Sequence, residues 1–313
     1  MKRLWFLCLA LLLSMAFQGC SEQEVYLFSY FKGNGEDGLH LAKSEDGRNW
    51  ISLRGDQSFL KPELSKDKLM RDPCIIIGGD GLFHMVWTVS WKENGIGYAS
   101  RKDLITWSKQ KFIPVMAHEQ GVRNCWAPEI TYDKRSGQYM IYWATTIDGR
   151  YPETAEPREQ NLSHRMYAVT TKDFESFSPT FLLYDYGFNV IDSTIIPDGD
   201  RFVMFLKDET LSPKPQKNIR VAFAERLEGP YTEPSAPITG SYWAEGPTTL
   251  READGSWVVY FDKYSEGKYG AVRSTDLKSW EDISDQISIP KGLRHGTIFK
   301  VKRSVVEKIE ALQ

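Results

Sequence analysis

Cysteine is scarce in this sequence, with four among 313 residues. Two of them, Cys8 and Cys20, lie in the first twenty residues, which leaves Cys74 and Cys125 for the rest of the chain. Two isolated cysteines provide no metal-binding motif. An exporting compartment would permit a disulfide bridge, but both lie at the start of apolar stretches, so we expect buried free thiols that act as small hydrophobic groups.

The chain also lacks a strong excess of charge of either sign. Its 39 Lys and Arg residues face 42 Asp and Glu residues, for a net charge of -3. Proteins that bind nucleic acid usually carry a basic face, so the composition argues against a nucleic-acid partner. With 41% hydrophobic and 13% aromatic residues, the chain can instead bury a large core.

No apolar run reaches the ~20 residues that a membrane-spanning helix needs. The longest run covers residues 4–17, follows two basic residues and precedes a glycine and Cys20. This order is typical of a bacterial lipoprotein leader. We therefore predict a signal peptide over residues 1–20 and an exported protein that is lipidated on Cys20 and anchored in the periplasm or at the outer-membrane surface, with ordinary secretion as the alternative.

Five short apolar stretches open with similar polar groups, and they recur roughly every 50 to 65 residues, a period typical of a β-propeller with three or four strands per blade. The openings are Arg71-Asp72-Pro73, Trp126-Ala127-Pro128-Glu129, Ile191-Asp192-Ser193-Thr194, Ala244-Glu245-Gly246-Pro247 and Arg294-His295-Gly296-Thr297. Strands rich in aromatic and β-branched residues follow each complete opening. A Ser/Thr-x-Asp turn then leads to an aromatic residue that can pack between blades.

The fifth unit is divided between the two ends of the chain. Residues 294–301 supply only an opening strand, whereas residues 25–31 and 39–50 supply two further strands. We therefore predict an all-β, five-bladed β-propeller, a single domain over residues 21–313, whose last blade is closed by N- and C-terminal strands. This closure leaves no long exposed sheet edge. The spacing of apolar residues also predicts a short helix over residues 304–313.

In a propeller the inner strand of each blade lines the central channel. The openings should therefore bring Asp72, Glu129, Asp192, Glu245 and His295 to one mouth of the channel. Carboxylates that are gathered and partly desolvated there repel one another, which separates their pKa values and suits an acid and a base. Inverting glycoside hydrolysis uses such a separated pair, because a water molecule must fit between the base and the sugar.

In this order, with one per blade, the motifs resemble glycoside hydrolase family 43 over nearly the whole mature chain. The resemblance implies an inverting glycosidase that acts on arabinose-, xylose- or galactose-containing plant polysaccharides or their oligosaccharides. It implies Asp72 as general base, Glu245 as general acid, and Asp192 as the carboxylate that orients the acid and raises its pKa. It implies no required cofactor, although His295 resembles the family's axial histidine, beside which a structural Ca²⁺ can lie.

Other residues at the openings are candidates for contact with the sugar. Arg71 and Arg294 can hold sugar hydroxyls or balance charge, while Trp126 and Trp243 can stack on sugar rings or pack between blades. Glu129 is expected to brace the wall of the pocket. Secondary candidates on the second strands or beyond them are His84, Trp87, Lys207, Asp208 and Glu209.

Three alternatives stay open at this point. An Arg-Asp-Pro triplet also occurs in fructan-cleaving hydrolases, but their upstream Asn-Asp-Pro-like motif and Glu-Cys acid are absent here. A propeller that binds carbohydrate without cleaving it would typically have lost a carboxylate, and a scaffold for protein partners would not need three. Because Asp72, Asp192 and Glu245 are all present, the enzyme is favoured. The inserts rather than the motifs select the sugar, so the motifs leave the substrate and the oligomeric state open.

Overall fold

The structure is a computed structural model and describes residues 23–312. The predicted signal peptide and Cys20 lie outside the described residues. Within the described range, no helix is both long and apolar enough to cross a membrane. Nearly all regular structure there is in short strands, so the predicted all-β class is confirmed.

The strands are grouped into five antiparallel sheets. The chain starts with β1 (Glu24–Tyr30), β2 (His40–Ser44) and β3 (Ile51–Ser52). One sheet follows with β4 (Arg71–Ile77), β5 (Phe83–Thr88), β6 (Ile96–Arg101) and β7 (Lys111–Ile113). The next contains β8 (Trp126–Asp133), β9 (Gln138–Thr145), β10 (Arg165–Thr171) and β11 (Phe181–Tyr184).

The remaining elements complete the five sheets. The fourth group has three strands, β12 (Val190–Asp198), β13 (Arg201–Asp208) and β14 (Asn218–Ala224). The fifth has β15 (Glu245–Arg251), β16 (Trp257–Lys263), β17 (Lys268–Ser274) and β18 (Glu281–Asp282). The chain ends with β19 (Ile298–Lys302) and helix α1 (Arg303–Glu310), and short 3₁₀ turns cover Arg54–Asp56, Pro152–Thr154, Pro157–Glu159 and Ser284–Gln286.

The two ends of the described chain share one blade. Strand β19 pairs with β1, where Val25 faces Val301 and Phe28 faces Ile298, and the sheet continues through β2 and β3. The inner strands β4, β8, β12, β15 and β19 contact one another in turn around the ring, and β19 contacts β4. The predicted five-bladed propeller, with a last blade closed from both ends, is therefore confirmed.

Five apolar clusters fill the seams between neighbouring blades. The aromatic residues that follow the predicted turns pack in these seams. Trp50, for example, packs edge-on against Tyr260 of the adjacent blade, with ring centroids 6.1 Å apart. The carboxylate of Asp46 shapes the turn before Trp50 by accepting the backbone N–H groups of residues 48 and 49. In three other blades the carboxylates of Asp103, Asp173 and Asp276 each accept hydrogen bonds from two backbone N–H groups in the same way.

The blade of β12–β14 differs from the other four. It has no regular outer strand. Residues 232, 235 and 238 instead donate backbone hydrogen bonds to carbonyl groups of β14.

Cys74 and Cys125 are both free and buried, as expected. Burial raises the pKa of each thiol well above its ordinary value. Both therefore remain protonated and act as small core groups.

Candidate active site

Four inner strands carry a β-bulge at the same end of the channel. In β4, β8, β12 and β15 the inner strand has one more residue than its partner over the same stretch. The inserted positions have φ angles between 46° and 58°, and they are Asp72, Ala127, Asp192 and Gly246. A left-handed backbone is costly for a non-glycine residue and persists only where surrounding structure enforces it. Bulges of this kind redirect side chains, and here they bring Asp72 and Asp192 to His295.

The bulges also show that the polar groups of the five openings do not hold equivalent positions in their strands. Asp72 and Asp192 are themselves the inserted residues of their strands. In β8 the inserted residue is Ala127, and Glu129 lies two residues further along the strand. Glu245 lies one residue before the inserted position, where β4 has Arg71 and β8 has Trp126. The five groups are therefore not equivalent by position, although the sequence places them in similar motifs.

The bulged strand ends surround a cavity of about 460 Å³, within the range of ~300–1,000 Å³ that is usual for ligand pockets. The predicted site residues that line it are Arg71, Asp72, Trp126, Asp192, Glu245, Arg294 and His295. All three carboxylates that the family resemblance marks as catalytic thus face one cavity.

His295 contacts two of these carboxylates. Its Nδ1 lies 3.4 Å from Oδ1 of Asp72 and 4.0 Å from Oδ2 of Asp192. Burial disfavours charge on the ring, but the two carboxylates outweigh burial and raise the pKa of His295 to about 9. At neutral pH an imidazolium therefore lies between Asp72 and Asp192.

Asp72 is held in its ionised form. Burial opposes ionisation, yet the contacts with His295, the charge of Arg71 and a hydrogen bond from Thr88 together lower the pKa of this carboxyl. The Thr88 hydroxyl donates to Oδ2 over 2.8 Å. An ionised, fixed carboxylate in a cavity is what a general base requires.

Asp192 is shifted in the opposite direction. Burial raises its pKa to about 6, a shift that His295 and Lys207 oppose and that Glu245 and Asp72 enhance. Its Oδ2 accepts the backbone N–H of Gly246 over 3.1 Å. Asp192 is thereby tied to the residue that follows Glu245 in the chain.

Glu245 is paired with two cations. Its Oε2 lies 3.1 Å from Nζ of Lys207, and its Oε1 lies 2.9 Å from a terminal nitrogen of Arg294. Burial opposes ionisation, but Lys207 and Arg294 outweigh it and lower the pKa of Glu245. The resemblance implies that Asp192 raises the pKa of this acid; in the resting site the two cations outweigh that effect.

A chain of alternating charges extends from Glu245 to an insert between β9 and β10. Lys207 also lies 2.5 Å from Glu209, whose other oxygen is 2.5 Å from Lys217. Lys217 in turn contacts Glu159 of the insert over 2.8 Å. Both lysines are almost fully buried, and buried charges persist only when they are paired in this way.

Glu129 does not line the cavity. It is buried and accepts hydrogen bonds from the hydroxyls of Tyr142, over 3.2 Å, and Thr297, over 3.3 Å. Burial raises its pKa to about 7, against an opposing hydrogen bond from Thr194. Its position two residues beyond the inserted residue explains why it does not line the cavity.

Trp243 is also absent from the lining of the cavity. It precedes β15, and its half-exposed ring lies 5.9 Å from that of Tyr264. Trp126 does line the cavity and meets Trp91 edge-on, with centroids 5.4 Å apart.

The secondary candidates divide into two groups. Lys207 and Glu209 belong to the site, since one pairs with Glu245 and the other lines the cavity. His84 instead stacks on Phe174, and Trp87 is buried against Gly97. Asp208 pairs with Arg220 over 3.1 Å. None of these last three residues lines the cavity.

Sequence reasoning missed four residues of the cavity wall: Gly33, Asn34, Thr88 and Trp91. Thr88 is the last residue of β5, Trp91 lies three residues beyond it, and Gly33 and Asn34 lie in the loop between β1 and β2. The only available signal was the coincidence of these positions with the channel mouth, which requires the three-dimensional ring.

A structural Ca²⁺ beside His295 stays a prediction of the family resemblance. Ca²⁺ takes six to eight oxygen ligands. Among residues 23–312 no group of three or more His, Cys, Asp or Glu side chains is arranged to hold a metal ion. The nearest oxygens of Asp72 and Asp192 are instead directed at Nδ1 of His295.

Comparison with known proteins agrees with the architecture. Residues 22–307 match the family model described as "Probable glycosyl hydrolase domain", a family related to glycoside hydrolase family 43. The chain belongs to this family. The predicted family resemblance is thereby confirmed, and the cavity described above is the candidate active site of a family-43-related glycosyl hydrolase.

Individual relatives of this chain are more distant. An α-L-arabinofuranosidase of Bifidobacterium longum subsp. longum is 26% identical over 200 residues, which are 53% of this chain and only 18% of the relative. The crystal structure of α-L-arabinofuranosidase from Lactobacillus brevis matches with a TM-score of 0.54 at 18% identity, covering 69% of this chain and 72% of that one. Endo-arabinase from Bacteroides thetaiotaomicron VPI-5482 matches with a TM-score of 0.53 at 16% identity, covering 72% and 84%. At such identities the structural matches show the fold alone.

Proposed function

We propose that this hydrolase cleaves arabinose-, xylose- or galactose-containing plant glycans with inversion at the anomeric carbon. The observation that carries the proposal is the convergence of Asp72, Asp192 and Glu245 on one cavity of a propeller from a glycosyl hydrolase family. The names of the Bifidobacterium and Lactobacillus relatives favour an arabinofuranoside as the first substrate to test.

In the proposed reaction Asp72 is the general base. Its ionised carboxylate takes a proton from a water molecule, and the oxygen of that water attacks the anomeric carbon from the face opposite the leaving group. Glu245 donates a proton to the glycosidic oxygen as that bond breaks. Asp192 holds the backbone beside Glu245, and solvent then restores the two protonation states.

Asp192 is a second candidate for the proton donor. Its pKa of about 6 is closer to a working pH than the lowered pKa of Glu245. A general acid is most effective when its pKa lies near the operating pH. The position of Glu245, one residue before the inserted residue and in the family's motif, favours Glu245, and the two assignments are separated by a leaving-group experiment described in the Discussion.

The substrate proposal is tested with the purified protein and a panel of nitrophenyl glycosides. The panel contains α-L-arabinofuranoside, β-D-xyloside and β-D-galactoside, together with arabinan, galactan and a fructan. We expect hydrolysis of at least one member, loss of that activity in D72N and E245Q, and an inverted product anomer by NMR. Binding without any hydrolysis would identify a carbohydrate-binding propeller, and a retained anomer would contradict the inverting mechanism. Cleavage of fructans alone would favour the fructan-type alternative.

We also propose export and lipid anchoring through Cys20. In a bacterial host, metabolic labelling with an alkyne fatty acid should mark the wild type and leave C20A unmarked. Equal release of both proteins into the soluble fraction, without labelling, would indicate ordinary secretion.

A further inference from the structure

The cavity has three cationic side chains in its wall, and two of them have carboxylate partners. Arg294 contacts Glu245 and Asp262, over 2.9 and 2.5 Å, while His295 contacts Asp72 and Asp192. The third is Arg71. Among residues 23–312 no carboxylate oxygen lies within ion-pair distance of its guanidinium, although Arg71 is the immediate neighbour of Asp72.

The Arg71 guanidinium is held in a fixed orientation. It stacks on the rings of Phe31 and Trp91, with its central carbon 4.6 and 4.3 Å from the two centroids. One of its terminal nitrogens donates to Oδ1 of Asn34 over 3.1 Å, and the same oxygen accepts the indole N–H of Trp91 over 3.2 Å. Asn34 therefore ties the cation to the aromatic wall.

Most of the donor capacity of Arg71 is unused. A guanidinium has five N–H donors, and within the described part of the chain a single hydrogen bond from this side chain is present. Asp72 does not use the remainder, because its oxygens are engaged by Thr88 and His295. A stacked, planar guanidinium with free donors matches a carboxylate or a sulfate through two parallel hydrogen bonds.

We propose that Arg71 binds an anionic substituent of the glycan, a carboxylate or a sulfate ester, so that the substrate is an acidic glycan. The inference rests on the proposed function, since it concerns the substrate of that cavity. In β4 Arg71 occupies the position that Glu245 occupies in β15, one residue before the inserted residue. Arg71 also directly precedes Asp72, the proposed base, and both line the cavity, so the anionic group lies close to the bond that is cleaved, with Trp91 and Trp126 beside it as apolar surfaces for sugar rings.

The test is a binding measurement that needs no turnover. Methyl α-D-galacturonide is compared with its methyl ester, which has nearly the same shape without the charge, and galactose 6-sulfate is compared with galactose. Binding is followed by calorimetry in the wild type, R71M, R71K and R226K. Arg226 is an exposed arginine remote from the cavity, so R226K serves as the matched control.

We expect the wild type to prefer at least one acidic probe, and the pair that is discriminated identifies the carboxylate or the sulfate as the source of the charge. The R71M substitution should lower the affinity for the acidic probe roughly 10- to 100-fold, as expected for the loss of charge-assisted hydrogen bonds. The affinity for the neutral probe should stay unchanged. R71K should restore part of the preference, because it keeps the charge but not the planar fork. A higher salt concentration should lower the affinity for the acidic probe alone.

Three results would overturn the proposal. These are equal affinity of the wild type for charged and neutral probes, failure of both acidic probes to bind, and an equal loss for charged and neutral probes in R71M. The last result would assign Arg71 to sugar hydroxyls or to the wall itself. Because hydrolysis plays no part in the readout, failure here leaves the glycosidase proposal standing, and failure of the hydrolysis panel leaves this measurement meaningful.

Discussion

Lys207 and Glu245 form an ion pair at the edge of the cavity, with Nζ of the lysine 3.1 Å from Oε2 of the glutamate. Lys207 is 1% exposed, so water and salt screen this attraction only weakly. The side chain that must carry a proton in the proposed reaction is thus stabilised in its charged form by a fixed cation.

Replacement of this lysine should move one side of the pH profile. In K207M the pKa of Glu245 rises, because the cation is lost while Glu209 remains nearby. A general acid with a higher pKa stays protonated to higher pH, so the alkaline limb of kcat/KM should move upward by roughly one pH unit. K207R keeps the charge and should leave the limb in place. An unchanged or lower limb in K207M would show that Glu245 is not the titrating acid.

Leaving-group dependence separates Glu245 from Asp192 as the proton donor. A dinitrophenyl leaving group departs without protonation, whereas an alkyl leaving group requires it. We expect E245Q to lose roughly 10²- to 10⁴-fold on an alkyl glycoside and much less on the dinitrophenyl glycoside. D192N should affect both substrates to a similar extent. The reverse pattern would make Asp192 the acid.

The buried Glu129 should make stability depend on pH. Its folded-state pKa of about 7 exceeds the ordinary value of 4.5, so the folded protein binds the proton more tightly than the unfolded chain. The corresponding stability is complete below about pH 4.5 and is lost as the pH rises to about 7. In urea unfolding, this effect should lower the free energy of unfolding of the wild type by roughly 2–3 kcal/mol over that pH range, and E129Q should not show it. The exposed control E175Q should follow the wild type, and a parallel curve for E129Q would refute the assignment.

Gly246 should tolerate no side chain. Its φ is +58°, and an added Cβ would lie 2.4 Å from Cγ of His295. G246A must therefore displace the imidazole from Asp72 and Asp192, and we expect at least a tenfold loss of kcat together with roughly 1–3 kcal/mol of destabilisation.

Gly137 offers a matched control for this substitution. It has a similar φ of +66° with open space around it. G137A thus introduces the backbone strain alone and should retain activity. Equal activity of the two variants would mean that the position of His295 is not critical.

The sequence predicted the ring more completely than the chemistry inside it. The blade count and the shared last blade follow from local patterns that recur, so they could be read from residues such as Trp50 and Val301 without a structure. The depth of Glu129 could not, because an inserted residue in a strand has no clear mark in the sequence. The lowered pKa of Glu245 could not be predicted either, because the cations that lower it, Lys207 and Arg294, lie on β13 and in the segment before β19, far from Glu245 in the sequence.

Closure of the last blade has a consequence for biosynthesis. Arg294 and His295 lie shortly before β19, so a ribosome delivers them after all four carboxylates they contact. Until β19 docks beside β1, Asp72 and Asp192 lack their shared imidazole and Glu245 lacks one of its two cations. Docking of β19 beside β1 therefore both closes the ring and brings Arg294 and His295 to their carboxylates, so we expect the candidate site to assemble only after the last strand has been synthesised.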